Sequence, residues 1–322
     1  MIDVGVDPRD LPKREAELFA ANDNPQDWAG FVGQVKAKEQ LMVAVASAKA
    51  RDTRLDHVLL ASGIRGVGKS TLATLIAAQM DAGLICTTGP LDADKGRRLI
   101  CSMDDGDVLL IDEVHTLVAG GKSKAEWLLP FMTEGSLYTD EGAIECPDVT
   151  IIGATTDAGK LPETIISRFM IKPKITAYSD AEGEQLAGNL ARRMCVAAPE
   201  RTFAPIARAA RNNPRDMRSI LTAVRDLLLA FGESELDLDK ALEWSGFSAD
   251  GLSQVARDIL VVLAVQPKHT ASLESLQSLL GEPGPLRHHE QMLLQEGLVT
   301  ITGRGRTLTE AGLTRALAEG AL

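Results

Sequence analysis

The chain has 322 residues, enough for two or three domains, with 45% hydrophobic and 25% charged side chains, as in an ordinary globular protein. Its formal net charge of −11 excludes nucleic-acid binding through overall basicity and confines any such contact to local patches. No run approaches the ~18 apolar residues that a membrane span requires.

Residues 1–22 are polar and mixed in charge, with Pro8 and Pro12 as breaks, and are expected to form a mobile extension with one short helix over Arg14–Ala20. The opening MIDVGVDPRD is acidic and lacks an apolar centre, so no secretory signal is expected. The four cysteines, Cys86, Cys101, Cys146 and Cys195, form no C-x-x-C pair. They are expected as small buried hydrophobes in a reducing, cytoplasmic setting. After Trp28, a glycine turn at Phe31-Val32-Gly33-Gln34 leads into an amphipathic helix over Val35–Arg51.

The apolar run Val58-Leu59-Leu60 is followed by Gly63, Gly66, Gly68, Lys69 and Ser70, and then by a helix-prone stretch from Leu72. Gly63 to Ser70 fits G-x-x-x-x-G-K-[ST] between a strand and a helix, the context a phosphate loop requires. Glycines let successive N–H groups turn inward on an anion, and the following helix presents its positive end to the same anion. Lys69 supplies a mobile charge for the β- and γ-phosphates, and the Ser70 hydroxyl is a hard oxygen ligand for Mg²⁺.

A strand over Ala82–Thr87 and a helix over Leu91–Met103 come next. Val108-Leu109-Leu110-Ile111 then reads as a strand buried on both faces of a parallel sheet, with Asp112 and Glu113 at its C-terminal end. Asp112 suits Mg²⁺ and Glu113 suits a general base that polarises the attacking water. A helix over Glu126–Met132 and a buried strand over Val149–Ala154 follow, the latter ending in Thr155-Thr156, whose hydroxyls could sense the γ-phosphate or cap the strand. Arg168, after a helix opened by Pro162, could pair with surface acids or reach a neighbouring subunit's nucleotide.

Ser179 to Phe247 is helical throughout, and within it Pro214 opens a helix from which Arg215 projects. Asp250–Leu322 reads as three short helices, Leu252–Ala264, Leu273–Leu280 and Leu286–Glu296, and a strand pair across Gly303-Arg304-Gly305-Arg306. That is the winged-helix pattern. The segment has six basic against eight acidic residues, so only Arg304 and Arg306 at the hairpin tip suit phosphates.

These stretches together resemble the RuvB family, the bacterial Holliday-junction branch-migration motors of the AAA+ class. The likeness runs from about Pro25 to Arg306 and includes Phe31-Val32-Gly33-Gln34, Gly66-Val67-Gly68-Lys69-Ser70-Thr71, Asp112-Glu113-Val114-His115, Gly153-Ala154-Thr155-Thr156, Arg168-Phe169, Pro214-Arg215 and Arg304-Gly305-Arg306. The resemblance implies an α/β AAA+ P-loop domain with a parallel sheet over residues 23–178, a small all-α lid over 179–247 and a C-terminal winged helix over 248–322. It implies ATP and Mg²⁺ as cofactors. Gly63, Gly66, Val67, Gly68, Lys69, Ser70 and Thr71 would grip the phosphates, with Phe31, Val32, Tyr178, Pro214 and Arg215 around the rest of the nucleotide. Ser70 and Asp112 would serve the metal. Lys69, Glu113, Thr156 (sensor 1), Arg168 (a finger acting on the next subunit) and Arg215 (sensor 2) would be catalytic, and Arg304 and Arg306 would touch DNA.

A finger in trans implies a homo-oligomer, a hexamer in that family. The chain departs from the family at Ile64-Arg65 in the phosphate loop and at Ile166-Ser167 before Arg168. Glu134–Asp148 is shorter and more acidic than the family's apolar-tipped hairpin, which argues against a RuvA-like partner. The expected activity is an ATP-driven motor on branched or duplex DNA in recombination and repair. An initiator or helicase loader using ATP as a switch is the first alternative, and a DNA- or protein-binding adaptor with a vestigial ATPase the second.

Overall fold

The computed structural model describes residues 25, 27–88, 91–119, 121, 125–139, 142–231, 237–281 and 286–321. The expected extension over 1–22 and its helix at Arg14–Ala20 lie outside the described residues. Two compact units form: one runs to Cys195 and includes Asn212–Asp216, the other comprises Val196–Arg211 and the chain from Met217.

The first unit contains, in chain order, α1 (Val35–Ala50), β1 (Val58–Ala61), α2 (Lys69–Met80), β2 (Leu84–Thr88), α3 (Ala93–Cys101), β3 (Val108–Asp112), α4 (Leu128–Glu134), β4 (Ser136–Thr139), β5 (Gly142–Glu145), β6 (Thr150–Thr155), α5 (Glu163–Ile166) and α6 (Asp180–Arg193). The main sheet has the order β1-β6-β3-β2 and all its pairings are parallel. Beyond β1, a fifth edge strand is reduced to a single parallel bridge between Val58 and Ile171, held by the Leu59 N–H on the Ile171 carbonyl at 2.8 Å.

Strand periodicity divides the core. Val58, Leu60, Val108, Leu110, Ile152 and Ala154 pack on one face with Leu41, Leu72 and Ile76 from α1 and α2. Their neighbours Leu59, Leu109, Ile111 and Ile151 point the other way, toward Ile100, Leu128 and Phe131 from α3 and α4. Successive side chains of a strand face opposite sides, so apolar residues at every position demand helices on both faces. The doubly covered parallel sheet read from the sequence is present. α2 is longer than the apolar run from Leu72 suggested, because the phosphate-loop residues Lys69 and Ser70 already form its first turn.

The cysteines differ from expectation: Cys86, Cys101 and Cys195 are exposed and Cys146 is partly so. Cys86 lies on β2, the edge strand, whose five residues show a partly open burial pattern and not a fully buried one. An edge strand has one neighbour to cover it, which periodicity alone does not reveal.

The second unit holds α7 (Phe203–Ala209), the part of α8 (Pro214–Phe231) beyond Asp216, α9 (Leu238–Trp244), α10 (Gln254–Val265), β7 (Thr270–Ala271), α11 (Leu273–Leu280), α12 (Arg287–Gln295), β8 (Val299–Thr302), β9 (Gly305–Leu308) and α13 (Glu310–Ala318). The antiparallel sheet order is β7-β9-β8. The three helices and hairpin read from sequence are present, with two additions, the two-residue strand β7 and the closing helix α13. The hairpin turn is also tighter than expected. Thr302 pairs with Gly305, so the turn is Gly303-Arg304 and Arg306 lies within β9.

Candidate nucleotide site

The sheet order sets β6 between β1 and β3, so three strand ends meet at one edge: β1 entering the phosphate loop, β6 ending in Thr155 and β3 ending in Asp112. The Ser62 N–H donates to the Thr155 carbonyl at 3.1 Å, anchoring the start of the loop on β6. Gly66 and Gly68 both take positive φ, 73° and 88°, in the left-handed region that glycine alone enters at little cost. A Cβ on Gly66 would lie 2.1 Å from Asn213 Oδ1, and the Asn213 amide donates to the Arg65 carbonyl at 3.2 Å. The same Oδ1 accepts the Arg215 N–H at 3.0 Å, so one side chain starts α8 and rests on the phosphate loop.

Lys69 is buried, and its Nζ donates to the Ile64 carbonyl at 3.1 Å across the loop. Burial lowers the Lys69 pKa from the usual lysine range; Glu113 and Asp112 act to raise it, while Arg215 and Arg65 lower it further. Two carboxylates and two guanidiniums therefore lie near enough for their charges to act on the one ammonium, which is the charge set expected where phosphates and a cation meet. Ser70 is exposed on the first turn of α2.

At the end of β3, Asp112 Oδ1 accepts the N–H of Glu113 at 2.9 Å. Glu113 has φ 49°, an uncommon conformation for a glutamate, and it turns the chain into a short 3₁₀ segment over Val114–Val118. The Glu113 carboxylate is thereby directed at β6. It accepts the Thr156 N–H on Oε2 at 3.1 Å and the Thr156 hydroxyl at 3.1 Å from each oxygen. His115 Nδ1 stands 3.2 Å from Oε2 and 2.9 Å from Thr155 Oγ1. Thr155 Oγ1 in turn accepts the Asp157 N–H at 3.0 Å, so the first threonine caps the strand while the second meets the carboxylate.

Phe31, Val32 and Tyr178 are all buried. The Tyr178 hydroxyl donates to the Val67 carbonyl at 3.1 Å, and Phe31 Cζ lies 3.0 Å from where a Cβ on Gly68 would be. Burial raises the Tyr178 pKa to about 12, so the phenol stays a donor. Gln34 brings this wall together: its amide donates to the Thr176 carbonyl at 2.7 Å and accepts the Thr176 N–H at 3.1 Å, pinning the strand-like segment that carries Tyr178.

Sequence reading missed Gln34, His115 and Asn213 as members of this cluster, while Thr155 takes the strand-capping role that the sequence offered for it. His115 and Gln34 were visible only inside quoted motifs, and Asn213 only as the residue before Pro214.

Arg168 is exposed and does not join these groups. It borders a separate cavity of about 220 Å³ with Arg54, Asp56, His57, Ser167 and Met170 among its lining residues. On the second unit, Arg304 is exposed at the wing turn, whereas the Arg306 guanidinium is 2.5 Å from the carboxylate of Glu290, a buried residue of α12. The hairpin-tip placement read from sequence therefore holds for Arg304 and not for Arg306.

Residues 24–175 match the family model of the Holliday junction DNA helicase RuvB P-loop domain. The branch migration complex subunit RuvB of Streptomyces griseus is 33% identical over 300 residues, covering 89% of this chain and 83% of the relative. The chain belongs to the RuvB family. The corresponding subunit of Kosmotoga olearia is 31% identical over 319 residues, with 94% and 91% covered. The solved RuvB branch migration motor of Thermotoga maritima superposes with a TM-score of 0.76 at 29% identity, covering 90% of this chain and 97% of that one. A variant of the same protein gives 0.78. As a RuvB-family P-loop protein the chain is an ATPase by class, and the loader and adaptor alternatives are not favoured. Among the described residues no helix is long and apolar enough to cross a membrane.

Proposed function

We propose that this chain hydrolyses ATP as one subunit of a ring that drives branch migration at four-way DNA junctions. The observation that carries the reading is the Thr156–Glu113 contact. A strand-end hydroxyl and a strand-end carboxylate meet, and the carboxylate's charge acts on Lys69, an arrangement that can offer the hydroxyl to a nucleotide and the carboxylate to water. Lys69 and Arg215 offset charge on the transferring phosphoryl group, and Glu113 takes the proton of the attacking water.

Ser70 and Asp112 fit a hard divalent cation. Both offer oxygen, and Asp112 Oδ2 accepts no hydrogen bond from any described residue. Bound there, Mg²⁺ would neutralise phosphate charge. Phe31, Val32 and Tyr178 supply an apolar wall for a base, with Pro214 at the start of the helix that presents Arg215. Thr71 and Val67 complete the loop.

Arg168, exposed and apart from its own chain's Lys69, suits a finger directed at a neighbour's nucleotide. Arg304, exposed at the wing turn, is the side chain placed for DNA phosphate. Of the alternatives, the loader uses ATP as a switch and turns it over slowly, whereas the adaptor with a vestigial ATPase has no need of a positioned general base.

The test is branch migration of a synthetic four-way junction together with DNA-stimulated ATPase activity, in wild type and Glu113→Gln. Junction movement by wild type and its loss in the variant are expected. ATP turnover without junction movement would point to the loader reading, and equal turnover in both proteins removes Glu113 from the chemistry.

A further inference from the structure

We infer that His115 is a positioning residue that holds one oxygen of the Glu113 carboxylate, so that the other is left to act on water. The inference rests on the general-base reading of Glu113 and deepens it.

The geometry divides the two carboxylate oxygens. Oε1 has the Thr156 hydroxyl, whereas Oε2 has that hydroxyl, the Thr156 N–H and His115 Nδ1. The proton on His115 can be placed by its surroundings. Nδ1 faces a carboxylate oxygen at 3.2 Å and a threonine oxygen at 2.9 Å, and that threonine oxygen already accepts the Asp157 N–H. A bare nitrogen lone pair aimed at a carboxylate would be repelled, so Nδ1 carries hydrogen and shares it between Glu113 Oε2 and Thr155 Oγ1.

The imidazole is itself fixed. Val114 and Leu117 on either side of it are buried in the core, and the Thr116 N–H closes the turn on the Glu113 carbonyl at 2.8 Å. Thr155, the other end of the shared bond, is fully buried on β6.

The two donors that Oε2 has to itself, the Thr156 N–H and His115 Nδ1, therefore differ from the hydroxyl it shares with Oε1 in what they can do. A backbone N–H and a ring held by a 3₁₀ turn do not swing, whereas a threonine hydroxyl reorients by one bond rotation. When the Thr156 hydroxyl turns to a γ-phosphate, Oε1 loses its donor and is left free to face water. Oε2 stays held by Thr156 N–H and His115. His115 thus fixes the direction in which Glu113 points at the moment it is needed, a matter of orientation and not of binding.

The experiment measures single-turnover hydrolysis of limiting ATP with the full chain in saturating excess over it, in the presence of Mg²⁺ and junction DNA, so that product release does not mask the chemical step. It compares wild type, His115→Ala, His115→Asn, Glu113→Gln and the double variant His115→Ala/Glu113→Gln. Affinity for a fluorescent ADP analogue and the melting temperature are recorded for each.

The expected result is a fall of about tenfold or more in the single-turnover rate for His115→Ala, from loss of orientation. Nucleotide affinity should stay within about twofold, since the imidazole donates to carboxylate and not to phosphate. His115→Asn, whose amide places a donor near the former Nδ1, should recover most of the rate. In the Glu113→Gln background the alanine substitution should add nothing, because the two side chains act as one unit.

Wild-type turnover in His115→Ala, with Glu113→Gln inactive, overturns the proposal alone. So does a parallel fall in nucleotide affinity and melting temperature without asparagine rescue, which assigns His115 to the fold. Wild-type turnover in Glu113→Gln removes the base and the proposal together.

Discussion

Phe169 occupies the space that a side chain on Gly153 would fill: a Cβ there would lie 2.9 Å from Phe169 Cζ and 3.2 Å from Val114 Cγ1. Gly153 is on β6, two residues before Thr155, and Phe169 follows the exposed Arg168. The fully buried ring thus seats the arginine's backbone on the strand that ends at the site. Gly153→Val should displace Phe169 and cost about 1–3 kcal/mol through overpacking. Urea midpoints would show that loss, and ATPase assays should show a larger fall in assembled protein than in nucleotide affinity. A variant with wild-type midpoint and turnover would refute the seating.

Thr156→Val removes the hydroxyl and keeps the shape of the branch. Turnover should fall by about 10²-fold, the usual effect of losing a donor aimed at developing charge. ADP affinity should change little. A fluorescent-nucleotide titration and a steady-state ATPase assay separate the two, and an unchanged kcat would deny Thr156 a role in the chemistry.

If Arg168 acts on a neighbour, two inactive proteins should make an active mixture. Arg168→Ala supplies an intact Glu113, and Glu113→Gln supplies an intact finger, so mixed rings contain complete sites. Turnover should rise above either parent as the mixing ratio approaches unity. Absence of rescue at every ratio would place the function of Arg168 elsewhere.

The two wing arginines should separate. Glu290 is 8% exposed and Arg306 is its ion-pair partner, so Arg306→Ala strands a largely buried carboxylate and should cost about 1–3 kcal/mol. Arg304→Ala should leave stability within about 0.5 kcal/mol. If Arg304 touches a phosphate, its loss should also lower the salt dependence of DNA binding by about 0.9 in the log–log slope. Denaturant melts and binding isotherms at several salt concentrations read both effects, and the opposite pattern would exchange the assignments.

Burial lowers the His57 pKa to about 3, helped by the Arg54 charge, while its Nδ1 accepts the Ile151 N–H at 2.9 Å. The folded protein therefore keeps His57 neutral where the unfolded chain protonates it. Stability from this group is intact above the unfolded value near 6.5 and is lost as pH falls from there toward 3, by at most about 1.4 kcal/mol per pH unit. Asp216 works against this: burial raises its pKa to about 6, so the folded state gains a proton between there and the usual carboxylate range. The wild-type slope between pH 6 and 4 should therefore be shallow, and His57→Asn should gain stability relative to wild type on acidification. Chemical melts at pH 7, 6, 5 and 4 test it; parallel curves for the two proteins would show that His57 does not titrate on unfolding.

The doubly covered sheet was legible because Val108–Ile111 and Val149–Ala154 carry apolar residues at consecutive positions, which one buried face cannot explain. The phosphate loop was legible because its glycines and lysine are spaced by what an anion needs. His115 and Gln34 were not, since each acts through one side chain placed by a turn with positive φ, at Glu113 and at Gln34 itself. Hydropathy does not register such turns. Arg306 was misplaced by one structural step: a two-residue turn and a four-residue hairpin loop look alike in sequence, and strand β7, which pairs with Arg306 and Thr307, has only two residues to announce it. The exposed cysteines follow from position at sheet edges and helix ends, which composition does not encode.

The short hairpin of β4 and β5 has a mechanical consequence. Each arm is four residues, with Ser136 opposite Glu145 and Thr139 opposite Gly142, so the paired ladder extends about 13 Å at the rise of an ordinary strand. Tyr138 and Ile144 are exposed on it, and the Tyr138 hydroxyl donates back to Glu134 in α4 at 3.1 Å. A ladder of that length is a stub fastened at its root. Any molecule that grips the ladder reaches α4 at its root within that same length, and the shape of that helix then takes part in choosing it.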